Sequence, residues 1–428
     1  LKRYQFQKNT LLGSPLSKEF QHIIGGGISA LLLGFQLKQH NIPFKIYEKS
    51  NRLGGLLESY WCEYGLVESS ANGFLWNQEM QDMCDALGLD IMPPSQKSKA
   101  RFLIRNKAFK RVPVGIGDML SASFKLFRKS DFRPETIEDF GEAYFGNKVT
   151  RNVLEPALMG IYGAGVGELS FPAVLPSFAR SLNDGNSIGL GLWKKRFGSN
   201  TKKKASGTHS FKNGMQELID RLGEYLKEYI VLEHEIVDLP KVGSVILCTP
   251  MSTSNKFLQS ETGLSIEYPN YASMLSCNVF VEKTKIPKRK NGFGCLVPRN
   301  EDLNLLGVLY NDCIFENRVH NAEHANLTCM LRDFSGSFER KTDQEIQALV
   351  EKELGVLLGL KGSVLRFAVK RWKEAIPIYS PLLYESRFEL HENLKAQNSR
   401  IRLFGNYTGQ ISVRGMSEEA LKIVSAIV

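Results

Sequence analysis

The sequence predicts an α/β protein: a discontinuous Rossmann-like nucleotide-binding domain, a second domain on a mixed sheet, and an inserted helical domain. Three observations carry this. A strand, a glycine-rich turn, a helix-like run and a second strand follow one another between His22 and Glu48. A strand and a glycine-rich loop return at 401–409, far along the chain. Between them, separated strand-like runs flank a stretch, roughly 115–200, whose apolar residues recur at spacings of three and four, as on amphipathic helices.

The first unit is the most specific. Strand 22–24 runs into Gly25-Gly26-Gly27-Ile28-Ser29-Ala30, a G-x-G-x-x-A, and a helical run to His40. Gly25 permits the tight turn, and Gly27 lets the backbone approach a pyrophosphate that a Cβ would push away. Ala30 lets the helix pack close to the strand, and the amides around Ile28 and Ser29 face the phosphates. Strand 44–47 ends on Glu48, 23 residues after Gly25, where a carboxylate can accept both hydroxyls of an adenosine ribose. Glu48 repels a 2′-phosphate, and Lys49 directly beside it is counted with the same site.

Along the rest of the chain, 101–112 reads as two strands joined at Asn106. After Phe211-Lys212-Asn213-Gly214-Met215 comes a helix, QELIDRLGEYL, then a buried strand at 245–248. Strand-like segments follow at 274–281, 293–297 and 303–310. A helix over 343–358 opens with Thr342 and Glu345 in capping-box spacing. A final helix is expected to start near Ser417. No internal repeat is present.

The 428 residues are 43% hydrophobic, enough for a large core and more than one domain. No run approaches the roughly 20 apolar residues of a membrane span, and the first 20 residues lack the pattern of a signal peptide. Seven dispersed cysteines without a C-x-x-C point to reduced thiols in a cytosolic compartment. His320 and His324 lack a convincing metal-ligand setting, so no metal is expected. The net charge of +10 is clustered, with seven basic residues in 97–111 and five in 283–290. Such fields suit an anionic bilayer, a polyanionic substrate or simple solubility. Nucleic acid is not expected, because no recognition motif or aromatic platform accompanies the charge.

Asn51-Arg52-Leu53-Gly54-Gly55 resembles the R-x-G-G element that follows the first unit in two-dinucleotide-binding flavoproteins, which implies FAD. Arg52 can neutralise a phosphate, and Gly54 and Gly55 can bring a loop against the cofactor. Further segments narrow the resemblance: Glu155-Pro156 through Gly160-Ile161-Tyr162 with Leu169-Ser170, Gly292-Phe293-Gly294-Cys295-Leu296-Val297-Pro298, Trp372 through Ala375-Ile376-Pro377-Ile378-Tyr379, and Gly405-Asn406 through Ser412-Val413-Arg414-Gly415. The chain resembles, over about 21–428, the oxygen-dependent FAD-containing protoporphyrinogen and coproporphyrinogen oxidases of the flavin amine oxidase superfamily.

That resemblance implies an FAD-binding domain from 21–95, 205–250 and 395–428, a substrate domain from 96–112 and 251–394, and a helical domain, 113–204, that docks on membranes in many members. It implies non-covalent FAD, held also by Val237, Trp372, Gly405, Asn406, Ser412 and Val413. It implies a porphyrinogen substrate, dioxygen as acceptor and a role in haem biosynthesis, and it leaves a homodimer open. Asn72 is the polar candidate beside the reacting carbon, and Gly160, Phe293 and Leu296 are candidates to line an apolar slot. The expected location is cytoplasmic, peripheral to the inner face of the membrane, with the amphipathic, basic stretch 116–132 as the contact. Departures keep the substrate open. Leu87-Gly88-Leu89 is followed by Asp90, which repels a propionate where some members carry arginine, and Gly165-Val166 stands where aspartate-proline is usual. Arg101 or Arg105 can serve substrate carboxylates instead. The alternative is a flavin oxidase or desaturase acting on another apolar or amine substrate.

Overall fold

The computed structural model describes residues 12, 18–110, 126, 131–189, 207–267, 271–334 and 336–425. Its contacts divide the chain into two compact units. One comprises 7–94, 205–268 and 385–428; the other comprises 1–6, 95–204 and 269–384. Two assignments therefore differ from the sequence expectation. Residues 251–268 and 385–394 group with the nucleotide-binding part, and the inserted helices group with the mixed sheet as one unit.

The nucleotide-binding unit is built on a five-stranded parallel sheet. Its order is Ile401–Leu403, Ser244–Leu247, Gln21–Ile24, Phe44–Tyr47 and Ile230–Val231. The two end strands come from chain positions more than a hundred residues away from the first unit, so the domain is assembled from three pieces. The strands are mostly apolar and largely buried, as parallel strands favour, with Gln21, His22, Lys45, Ser244 and Arg402 as the polar members. Ile23, Ile46 and Ile246 are fully buried with Leu31, Leu33, Leu218 and Leu222 of the flanking helices. Helix Ile28–Gln39 packs against helix Val413–Ser425 and helix Gln216–Tyr225. Residues 232–243 link the strands Ile230–Val231 and Ser244–Leu247 by an irregular connection without strands of its own. The last helix begins at Val413, four residues before the expected Ser417. Ser412 Oγ accepts the Gly415 N–H at 3.0 Å, so the motif residues themselves form the first turn. Helices Met251–Thr262 and Pro381–Ala396 were not expected, because their mixed polar sequences carry weak periodicity.

The second unit holds a seven-stranded mixed sheet. Its order is Arg366–Pro377, Tyr271–Glu282, His324–Arg332, Leu305–Tyr310, Gly294–Leu296, Arg101–Arg105 and Ala108–Lys110. Alternation sorts its faces. Leu275, Cys277 and Val279, with Leu327, Cys329 and Leu331, point to helix Asp343–Leu358, whose Ile346, Val350, Leu354 and Leu357 complete the core. That helix has the expected capping box between Thr342 and Glu345. The strand pair 101–110 turns at Asn106 and Lys107, both with positive φ, and buried Glu301 accepts both turn amides, at 2.7 and 2.8 Å. Helices Ile137–Tyr144 and Glu155–Tyr162 belong to this unit. Among the described residues, no helix is long and apolar enough to cross a membrane.

Candidate functional site

The glycine motif folds as its residue types dictate. Gly25 has φ +104°, and a Cβ there would stand 2.8 Å from the Cys248 carbonyl. Gly27 is the N-cap of helix Ile28–Gln39 and supplies no side chain to the first-turn amides. Those amides therefore remain available to an anion, where the helix dipole favours negative charge. The R-x-G-G loop comes to the same place. The Gly54 N–H donates to the Gly26 carbonyl at 2.9 Å, and Gly27 and Gly54 form a parallel bridge. A Cβ on Gly54, at φ +101°, would clash with the Leu57 carbonyl at 2.8 Å. Two bare backbone segments thus lie side by side, with a helix start between them and open solvent: a cradle that Cβ atoms would fill.

Glu48 stands at the edge of this cradle. Its Oε2 accepts the Gly26 N–H at 2.7 Å, and Oε1 accepts the Ser50 N–H and hydroxyl at 2.9 and 2.7 Å. A carboxylate has about four acceptor positions, so capacity remains on Oε2 for one ribose hydroxyl; Ser50 must yield Oε1 for Glu48 to take both. Arg52, the expected phosphate contact, lies within the glycine loop itself. Its guanidinium donates to the carbonyls of Leu53, Leu57 and Gly55, at 3.0, 2.9 and 2.5 Å. It shapes the glycine loop from beneath. Lys49 is exposed. Ser29 is buried and hydrogen-bonds the thiol of Cys248, which burial nonetheless pushes up to about 12.

The backbone of 233–234 runs beside Glu48: the Glu233 N–H donates to Ser50 O at 3.0 Å and the His234 N–H to Glu48 O at 2.9 Å. Val237, three residues on, is 77% exposed and outside those pairings. Gly405 and Asn406 follow strand Ile401–Leu403, and Thr408 closes their turn, its hydroxyl bonding the Gly405 carbonyl at 2.9 Å. Val413 is buried at the start of the last helix and Ser412 is exposed. Asn72 is half-buried, next to Gly73, whose hypothetical Cβ would collide with the His209 carbonyl.

Two networks in this unit were not anticipated. Glu68, 2% exposed, accepts the Ser59 hydroxyl at 2.5 Å and the Met215 N–H at 3.1 Å. Ser59 Oγ in turn accepts the Gln216 N–H at 3.0 Å. The Phe211–Gln216 motif is thereby fixed against strand Leu66–Glu68, and Gly214, at φ +77°, leaves the room for that carboxylate. The second network is a hydroxyl chain. Tyr407 OH and Thr249 Oγ1 each lie 2.8 Å from Ser254 Oγ, and Thr249 flanks Gly25. Ser254 and Tyr407 are completely buried, so the loop after strand 401–403 is tied to the first glycine turn.

In the mixed-sheet unit, a Cβ on Gly160 would stand 3.1 Å from Leu296 Cδ2, so helix Glu155–Tyr162 and strand Gly294–Leu296 pack at this glycine. Gly163, at φ +63°, lies against Ala272 and Met274, and Ile376 borders the same spot at 4.0 Å. Trp372 is half-buried and pairs across the strands with Met274. Lys370 Nζ lies 4.9 Å from the Trp372 ring, and the Arg101 guanidinium 4.6 Å from the Phe293 ring. Gly160, Leu296 and the Trp372 strand are thus connected by one helix, and Phe293 lies under Arg101.

Residues 31–418 match the model of the flavin containing amine oxidoreductase family. Protoporphyrinogen oxidase 2 of Arabidopsis thaliana is 22% identical, over 91% of this chain and 90% of the relative. Coproporphyrinogen III oxidase of Bacillus subtilis is 22% identical, over 83% and 87%. Among solved structures, a protein of Exiguobacterium sp. 255-15 provisionally assigned as a protoporphyrinogen oxidase superposes with a TM-score of 0.77 at 18% identity, over 96% of this chain and 99% of that one. The glycine cradle, the uncapped helix start and Glu48 fit FAD, which supplies two-electron chemistry when bound. This chain belongs to the flavin-containing amine oxidoreductase family and is an FAD-dependent oxidoreductase.

Proposed function

We propose that this flavin oxidase acts on a porphyrinogen, protoporphyrinogen IX or coproporphyrinogen III, with dioxygen as acceptor, in haem biosynthesis. One observation carries the reading. The segments most particular to the porphyrinogen oxidases, 154–170, 292–298 and 372–379, fold into one unit, where Gly160 meets Leu296 and Gly163 meets Met274 beside Ile376. Relatives whose names state those two activities match most of this chain at 22% identity, which supports the class without separating the two substrates.

Each residue has a chemical part in the proposal. The Asn72 amide orients a pyrrole N–H without adding charge. Gly160, Phe293 and Leu296 line the apolar slot, and Trp372 forms a flat wall. Arg101 and Lys370, each over an aromatic ring, take the substrate carboxylates, in place of the position that Asp90 occupies. FAD held at the Gly25–Gly27 turn, the Gly54-Gly55 loop and Glu48 would supply two-electron oxidation of the carbon beside the pyrrole nitrogen, with dioxygen as acceptor and hydrogen peroxide as product, three times per porphyrin.

The test is anaerobic mixing of the FAD-loaded protein with each porphyrinogen, following flavin absorbance near its visible maximum. Bleaching by one of them supports the proposal and names the substrate. Bleaching only by amines or by other apolar substrates replaces it with the alternative reading. A cytoplasmic location, peripheral to an anionic membrane face, is part of the same proposal. Its contact stretch, 116–132, lies outside the described residues except Leu126, Asp131 and Phe132. Co-flotation with anionic liposomes at low salt, lost at high salt, is the expected result.

A further inference from the structure

The mixed-sheet unit contains a charged cavity of about 430 Å³ that the proposed reaction does not use. It is an open depression bordered by residues of 138–168 together with Arg299, Arg332 and Phe334, and its lining includes none of Gly160, Phe293, Leu296 or Trp372. Its volume suits a small organic ligand.

The charges inside it are unevenly distributed. At one end Arg151 bridges two carboxylates, pairing with Glu138 and lying 3.6 Å from Glu155. That end carries an excess negative charge. At the other end the guanidinium carbons of Arg299 and Arg332 both sit over the ring of Phe334, at 4.6 and 4.4 Å. Arg332 is largely buried and held by Glu168 through contacts of 3.2 and 3.3 Å. Glu168 is further fixed by the Gly165 N–H at 2.7 Å. Among the described residues, no carboxylate lies within ion-pair distance of Arg299, whose contact is the aromatic ring. Two guanidiniums at one ring repel each other, and Glu168 makes its direct ion pair with Arg332 while also feeling the charge of Arg299.

The wall between the two ends is bare. A Cβ on Gly165 would stand 3.3 Å from oxygens of both Glu155 and Glu168 and 3.6 Å from Arg299. A Cβ on Gly167 would press on Glu138 at 2.5 Å. Phe334 is 49% exposed and offers an apolar surface directly beside the Arg299 fork.

We propose that this cavity is a ligand site for an organic monocarboxylate with an apolar or aromatic body. The Arg299 fork receives the carboxylate in the planar geometry that guanidinium favours. Phe334, half exposed, carries the apolar body, while Gly165 and Gly167 let the side chains of Glu155, Glu168, Arg299 and Glu138 close in around the depression. The Glu138–Arg151–Glu155 end repels a second negative charge, so the site discriminates against polyanions such as phosphate and pyrophosphate. This inference does not depend on the identity of the flavin substrate.

Calorimetric titration of the FAD-loaded protein with 3-phenylpropionate tests it, with inorganic phosphate and pyrophosphate as competitors. Arg299 and Phe334 are exposed, so Arg299→Gln and Phe334→Ala are expected to fold, which unchanged circular dichroism and FAD absorbance will verify. Lys361→Gln controls for the loss of one positive charge. The expected result is one site per chain in wild type and Lys361→Gln, weakened about tenfold or more in Arg299→Gln, as loss of a charge-assisted pair implies. Phe334→Ala should weaken 3-phenylpropionate more than acetate, and saturation should leave the flavin spectrum unchanged. Undiminished binding in Arg299→Gln, a perturbed flavin spectrum, or displacement by phosphate as effective as by acetate would each overturn the proposal.

Discussion

Gly27 and Gly55 meet backbone to backbone: a Cβ on Gly55 would stand 3.2 Å from the Gly27 Cα. One glycine belongs to the turn that opens the first helix, the other to the R-x-G-G loop some thirty residues later. Their approach makes the floor of the FAD cradle.

Gly55→Ala should therefore loosen FAD. The residue has φ +61°, so alanine costs roughly 1–2 kcal/mol in conformation alone, and its methyl pushes the loop away from Gly27. A rise of about tenfold in the FAD dissociation constant is expected by equilibrium dialysis. Retention equal to wild type would show that the loop does not border the cofactor. In the wild type, acid precipitation should release the yellow flavin, since binding is non-covalent.

Glu48→Gln removes the charge from the Gly26 and Ser50 hydrogen bonds at the ribose edge. Charge-assisted bonds contribute roughly 1.5–3 kcal/mol, so FAD retention should fall by about tenfold or more. Glu48→Arg should lose the cofactor outright during desalting. A Glu48→Gln protein that elutes fully yellow would count against the assigned ribose contact.

Glu68 tests stability separately from cofactor binding. Glu68→Ala strands the buried Ser59 hydroxyl and the Met215 N–H. The expected loss is about 2–3 kcal/mol in chemical unfolding of the FAD-free protein. An unchanged denaturation midpoint would mean that the Phe211–Gln216 turn is held by other contacts.

Acid should weaken the Glu168–Arg332 pair in a predictable direction. Burial pushes the Glu168 carboxyl up, but the Arg332 hydrogen bond, the Gly165 amide and the charges of Arg332 and Arg299 together hold it below its ordinary 4.5. A depressed carboxyl stabilises the fold above its unfolded value, and that contribution fades as pH falls from 4.5 through the lowered folded value. Glu168→Gln should flatten this part of the urea-midpoint profile. A profile identical to wild type would remove the pair from the acid response.

Thiol reactivity reads the packing directly. Cys62 is half-buried, whereas the other six cysteines are buried. Burial pushes Cys84 and Cys277 up to about 12, which leaves them scarcely ionised near neutrality. One rapidly labelled thiol is expected in the native protein and seven in denaturant. Rapid labelling of several thiols without denaturant would contradict the core assignment.

The backbone of the first glycine motif was legible because its determinants are local. Gly25, Gly27 and Glu48 fall within one strand–turn–helix–strand unit, and backbone conformation and helix polarity assign their roles without distant partners. The capping box at Thr342 and Glu345 and the turn at Asn106 were legible for the same reason. The three carbonyls that Arg52 bonds were not, because only the folded loop presents them to its guanidinium. Helix Met251–Thr262 was missed because its polar residues dilute the periodicity, and Ser254 gains its meaning only from Tyr407.

The sequence by itself determined an α/β dinucleotide fold, because glycine and carboxylate positions act over a few residues; FAD and a place among the flavin-containing oxidoreductases followed from the resemblance of its motifs to that family. Tertiary structure decided the order in which the separated pieces meet. It set Ser244–Leu247 between Gln21–Ile24 and Ile401–Leu403, and it joined the inserted helices to the mixed sheet. It also brought Arg299 and Arg332 to one ring. These outcomes depend on long-range burial and on charges meeting across loops, and neither leaves a periodic or spaced trace along the chain.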